Sequence, residues 1–194
     1  MSDQKVVLIL GAGSNIGEST SRAFAAKGYK VALASRSAKS DEDTADLKHF
    51  PIDLSKPSSV PELFIKVKEA LGIPSVVIYN GNHNSLAPLI PSCSHFPKAA
   101  AATFNDPDNT FSISLTDFEQ NLAINTISPY AAAQQATLGF AELPESASRT
   151  FIYTGNMLNT GIIFPPLLTL GLGKNATSYL VHHAATTLAE KGFK

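Results

Sequence analysis

Residues 6–20 read VVLILGAGSNIGEST: five apolar residues in a row, a turn rich in glycine, then a stretch of mixed polarity. A continuous, partly β-branched apolar run ending at glycine fits a strand covered on both faces, as in a parallel sheet. Gly11, Gly13 and Gly17 stand where that strand gives way to a helix. Glycines there let the backbone approach a diphosphate, while the helix N-terminus supplies N–H groups and the positive end of a dipole. A tight turn without a ligand is the other reading of the same residues, and the strand before and helix after favour the phosphate seat.

Working outward, the pattern recurs. A helix is predicted over 16–27, with Ile16, Ala23, Phe24 and Ala26 facing the core and Gly28 as its stop. Further strands are predicted over 30–35, 50–52, 75–79 and 150–154. Thr116 with Glu119 reads as a capping box opening a helix over 117–140. Ser59 with Glu62 reads as a second box, with Pro61 in the first turn, where a missing N–H costs nothing. A last helix is expected over 171–191. Alternating elements of this length predict an α/β fold, a doubly wound parallel sheet in a single domain spanning residues 1–194. Residues 82–114 contain Pro88, Pro91, Pro97 and Pro107 without a clean period, and read as a long irregular loop.

The chain has 194 residues, 44% of them hydrophobic and 16% charged, enough for one full core. Fifteen basic and sixteen acidic side chains leave a net charge of −1, so nothing points to nucleic acid or an anionic membrane as partner. Cys93 is the one cysteine, which excludes an internal disulfide and fits a reducing compartment. The first residues carry no signal-peptide pattern, and the apolar stretch IIFPPLLTLGLG at 162–173 is broken by prolines and glycines. These features predict a cytoplasmic protein.

GAGSNIG at 11–17 resembles the GxxxGxG turn of the short-chain dehydrogenase/reductase superfamily, with Gly11 and Gly17 on the outer glycines and Asn15 on the middle one. The resemblance implies a Rossmann-type fold that binds a nicotinamide dinucleotide, with Ser14, Asn15, Ile16 and Gly17 around the phosphates. In ALASR at 32–36, Ser35 and Arg36 end the second strand where NAD-preferring members carry an acidic residue. A guanidinium there makes charge-assisted bonds to a 2′-phosphate, so the expected cofactor is NADP(H). A solvated surface arginine is the plainer alternative. Asp53 and Leu54 in PIDLS match the pair beside the adenine, and Asn80 and Gly81 in YNG match a variant of the family's NNAG stretch.

Ordinary members reduce a carbonyl or oxidise an alcohol with Asn, Ser, Tyr and Lys. By the same resemblance, Asn125 in LAINTISPY takes the asparagine's place and Lys174 that of the lysine in YxxxK, which holds the nicotinamide ribose. A locally bonded asparagine and a snorkelling lysine are the alternatives. Leu170 stands where the tyrosine belongs, and Asn156, in TFIYTGN at 150–156, where the serine belongs. The TFIYTGN and GxGK arrangement resembles an atypical subgroup in which that loss is shared. Leucine cannot move a proton, and losing a placed general acid costs about 10²- to 10⁴-fold in rate. His83, after the fourth strand, is one candidate replacement; Tyr153, Tyr179, His182 and His183 read as core or surface residues.

Two functions follow as expectations. One is an NADP(H)-dependent oxidoreductase acting on an unknown small carbonyl or alcohol, with Asn125, Asn156 and Lys174 at the reacting centre. The other is a catalytically inactive NADP(H)-binding relative that acts as a sensor or partner subunit. The family resemblance also implies a homodimer paired through its two long helices. Ordinary members continue with two more strands, so the chain reads as truncated after the helix carrying Lys174. The edge of strand 150–154 then needs a cover.

Overall fold

The computed structural model describes residues 5–13, 16–37, 40–81, 103–106, 108–162 and 165–194. Five parallel strands form one sheet: β1 (Val6–Leu10), β2 (Lys30–Ser35), β3 (Leu47–Pro51), β4 (Val76–Tyr79) and β5 (Thr150–Tyr153). Their order is β3-β2-β1-β4-β5, so the direction of winding reverses between β1 and β4. All five residues of β1 are fully buried, because the strand has a neighbour on each side and a packed layer on each face. Alternation of side chains then divides the core. Val6, Leu8 and Leu10 pack with α2 (Val60–Ala70) and α4 (Ser128–Glu142), whereas Val7 and Ile9 pack on the face that meets Phe24 of α1 (Ile16–Ala25). Helices on both faces of a parallel sheet make this the Rossmann-type doubly wound fold.

The helices differ from the sequence reading in detail. Gly17 and Ser21 are the buried positions of α1, and Phe24 is half-buried. Ile16, Ala23 and Ala26 face solvent, because small residues at 17 and 21 let the helix lie close to the sheet along that stripe. The helix α3 (Leu115–Leu122) is capped by Ser114, whose hydroxyl accepts from Asp117 N at 3.1 Å and donates to Asp117 Oδ2 at 2.8 Å. Thr116 therefore lies inside the helix, and the expected Thr116–Glu119 box does not form. Ser59 caps nothing through its side chain either. A 3₁₀ turn over Pro57–Ser59 already makes it helical, and its hydroxyl donates to Lys56 O.

From α3 the chain passes through a π-helical turn, Ala123–Ile127, into α4. The last α-helix, α5, spans Leu168–Thr187 and starts three residues before the predicted position. Beyond it, Lys194 joins β5 along its outer side, donating to Arg149 O at 3.0 Å and accepting from Phe151 N at 2.8 Å. Ile152 on β5 is 40% exposed.

At the other side of the sheet, β3 begins three residues before the predicted stretch 50–52. Its N–H groups that do not face β2 are all accounted for. Leu47 N donates to Thr44 Oγ1 at 3.1 Å and His49 N to Asp43 Oδ1 at 2.8 Å, while Pro51 has none to give.

Candidate active site and nucleotide cleft

Every sequence-predicted site residue among those described, except Ile16, Gly17, Asn125 and Lys174, follows or ends a strand at its carboxyl end. In open α/β sheets ligands sit in the crevice outside those ends, at the reversal of strand order. Here that crevice lies between β1 and β4. Gly11 continues β1 with φ of +79°, and a Cβ there would collide with the carbonyl oxygen of Asn80. Gly11 N and Ala12 N both donate to Ala34 O, at 2.9 and 3.1 Å. Asn80 closes the other wall: its N donates to Leu10 O at 2.8 Å and its Nδ2 to Gly11 O at 3.0 Å.

One cleft runs from this turn across the ends of β2 and β3. Gly11, Asn80 and Gly81 line its β1–β4 end, Ser35 and Arg36 its middle, and Asp53 and Leu54 its far side. Ala12, Ser37, Ile52, Ser55 and Ile124 line it as well and were not singled out by the sequence. Arg36 is exposed and has no ion pair among the described residues. Both Ser55 N and Ser55 Oγ donate to Asp53 Oδ1, at 3.0 and 2.7 Å. The Ser55 hydroxyl, helped by the charges of Lys56 and Arg36, holds the Asp53 carboxyl below its usual range. Leu54 O accepts from Ser128 Oγ at 2.8 Å, which ties this end of the cleft to α4. Gly17 is buried beneath the turn and Ile16 is exposed, so neither lines the cleft. Ser14, Asn15 and His83 lie outside the described residues, as does most of the 82–114 loop.

A second group lies where β5 meets α5 and the π turn. Lys174 is 1% exposed; its Nζ donates to Thr154 O at 3.1 Å and sits 4.7 Å from the centroid of the Tyr153 ring. Burial lowers its pKa to about 8. Asn125 occupies the middle of the π turn and is 1% exposed, with Nδ2 donating to Asn121 O at 3.0 Å. Its carbonyl accepts the Thr177 hydroxyl of α5. An inserted residue in a helix re-aims the groups around it, which is one reason π turns recur at functional sites. Asn156 accepts from Leu158 N at 3.0 Å through Oδ1, capping the short turn Met157–Asn159. Its Nδ2 has no partner among the described residues.

Residues 5–144 match the short chain dehydrogenase family. The short chain dehydrogenase/reductase dmxR12 of Cryptosporiopsis sp. (strain 8999) is 44% identical over 191 residues, covering 97% of this chain and 73% of that one. The chain belongs to the short-chain dehydrogenase family.

The folds agree with that membership. A short-chain dehydrogenase/reductase from Serratia marcescens BCRC 10948 superposes with a TM-score of 0.75 at 18% identity, covering 98% of this chain and 75% of that one. ElxO with NADP bound gives 0.75 at 20% identity, with 98% and 71% covered. The 4-hydroxyisoleucine dehydrogenase complexed with NADH gives 0.72 at 17%, with 98% and 72% covered.

In this short-chain dehydrogenase the position four before Lys174 is a packed one. Leu170 is 2% exposed and clusters with Leu158 and Leu167, against which Phe104 packs. Asn105 fixes that arrangement, taking Leu168 N on its Oδ1 at 3.2 Å and donating its own N to Pro166 O at 3.0 Å. Gly173, beside Lys174 in the GxGK stretch, was given no role of its own by the sequence. A Cβ there would lie 2.6 Å from that of Asn125, so glycine is what lets α5 approach the π turn. Thr154 and Thr177 escaped notice as well, since their partners lie far away along the chain.

Proposed function

We propose that this short-chain dehydrogenase binds NADP(H) and transfers hydride to or from a small carbonyl or alcohol, without a tyrosine or serine in the family's catalytic positions. The observation that carries the cofactor reading is Arg36, a guanidinium in the cleft beyond β2 with no carboxylate bound to it among the described residues. Between Ser35 and Ser37 it supplies the planar, permanently charged fork that suits a 2′-phosphate. The cleft fits the rest of the molecule. Gly11, Asn80 and Gly81 line its β1–β4 end, where the two main chains come too close for a Cβ at position 11, and Asp53 spends only Oδ1 on Ser55.

When bound, the dinucleotide supplies or accepts the hydride. The chain's own residues orient and polarise. Gly11 and the turn after it seat the diphosphate, Arg36 takes the 2′-phosphate, and Asp53 with Leu54 borders the adenine. Lys174 brings a positive charge to the nicotinamide ribose, and Asn156 Nδ2 donates to a substrate oxygen. Asn125 holds the π turn against Thr177 and so fixes α5 and Lys174 beside β5. Leu170 excludes water, and the proton comes from solvent or from His83.

Calorimetric titration with NADPH and NADH tests this reading. NADPH is expected to bind at least tenfold more tightly, and failure of both to bind would overturn it. The second reading, an NADP(H)-binding relative without turnover, is favoured by the closed apolar cluster around Leu170. NADPH oxidation against a panel of aldehydes and ketones, compared with Lys174→Ala, separates the two. The family reading also pairs two copies through α4 and α5, supported by exposed Tyr130, Leu138 and Tyr179 along one groove. Sedimentation equilibrium gives the mass that checks it.

A further inference from the structure

Thr154 is the first residue past β5, and its backbone N–H already completes the ladder by donating to Tyr79 O at 3.0 Å. Its hydroxyl is surplus to the sheet. That hydroxyl lies 2.9 Å from Asn80 Oδ1 and 3.3 Å from Tyr79 O. With one proton to give, it serves the nearer amide oxygen. Asn80 cannot do without it. Its Nδ2 must face Gly11 O, because an amide oxygen in that place would meet a carbonyl lone pair. This turns Oδ1 toward β5, in a residue only 9% exposed, where an acceptor left without a donor loses its hydration unrepaid.

The carbonyl of the same threonine accepts Lys174 Nζ at 3.1 Å. Two hydrogen bonds therefore tie Gly11 O through the Asn80 amide to the Thr154 hydroxyl, and the same residue's carbonyl holds Lys174 by a third. Valine would serve the strand equally well, being β-branched and able to donate the same backbone N–H.

We infer that Thr154 is a positioning residue for the nucleotide: its hydroxyl holds Asn80 clamped on the glycine turn while its carbonyl holds Lys174. The inference rests on the nucleotide reading above. Losing the hydroxyl frees the Asn80 amide to turn, which loosens the β1–β4 wall of the cleft while leaving sheet pairing intact.

The test is calorimetric titration of the full chain with NADPH for wild type, Thr154→Val and Thr154→Ser, with thermal melting of each in the absence of nucleotide. Thr154→Val is expected to weaken binding about 10-fold and Thr154→Ser to restore it to within about 2-fold of wild type. In an Asn80→Ala background, Thr154→Val is expected to add less than about 2-fold, since the hydroxyl then has no amide to hold. Should the valine variant fail to melt cooperatively, serine against alanine at position 154 reads the same hydroxyl. Wild-type affinity in Thr154→Val, no rescue by serine, or a full loss persisting in the Asn80→Ala background each overturns the inference. A wild-type chain that binds neither NADPH nor NADH overturns the nucleotide reading first, and this inference with it.

Discussion

Lys174 places its ammonium 4.7 Å from the centre of the Tyr153 ring, a buried cation on an aromatic face with no ion pair among the described residues. The ring and one backbone carbonyl only partly replace the lost hydration. Burial therefore lowers the pKa from the ordinary 10.5 to about 8. Between those two values the unfolded chain holds a proton that the folded chain lacks, so this group's contribution to stability rises with pH across that window. Below it, the folded protein carries the full cost of a buried charge. Lys174→Met is thus expected to stabilise the nucleotide-free protein by about 1–3 kcal/mol at pH 7, with the gain shrinking as pH rises toward 10. Urea denaturation at pH 7 and pH 9.5 measures it, and NADPH affinity is expected to fall in the same variant.

Arg36 sits in the cleft near Asp53 without forming an ion pair. Arg36→Asp puts a like charge where the 2′-phosphate is expected and offers a ribose hydroxyl an acceptor. NADPH affinity is expected to drop about 100-fold while NADH affinity holds or improves. Parallel calorimetric titrations give both constants. Equal losses for the two nucleotides would assign Arg36 a general role and not a selective one.

Gly11 takes a left-handed φ of +79° at the point where Asn80 O comes closest. Gly11→Ala adds backbone strain to a collision with a main-chain atom that cannot swing aside. A loss of about 2–4 kcal/mol is expected, read as a fall in melting temperature by circular dichroism. A melting temperature equal to wild type would mean that the turn is free to rearrange.

The entry to α3 is capped by Ser114, one residue ahead of the helix, and not by Thr116, which the sequence reading chose. Ser114→Ala removes the observed cap and is expected to cost about 1 kcal/mol, whereas Thr116→Ala, one residue inside the helix, is expected to stay within about 0.5 kcal/mol. Denaturation midpoints of the two variants decide between the caps.

What the sequence made legible was whatever burial on both sides forces into apolar runs. Strand β1 shows this plainly, and the ends of the strands then located the cleft, because a glycine or a polar residue must follow where the run stops. The strand β3 was recognised only in part. An edge strand packs on one neighbour, so Lys48 and His49 are tolerated in it and no apolar run announces them. The stripe of α1 was misread because Gly17 and Ser21 are buried through being small, which hydropathy does not register. At the candidate site, Thr177 bonds to a residue 52 positions away and Lys174 to one 20 away. Such contacts have no local signature. Gly173 alone offered a clue, a small residue beside a buried charge where two helices cross.

The rim formed by β3 bears on how the protein behaves in concentrated solution. With the N–H groups of Leu47 and His49 engaged by Thr44 and Asp43, and none present at Pro51, a neighbouring copy meets no row of vacant donors on which to lay a strand. Accretion of one sheet onto another is thereby blocked from this side, and the guard depends on two short polar side chains and one imino acid.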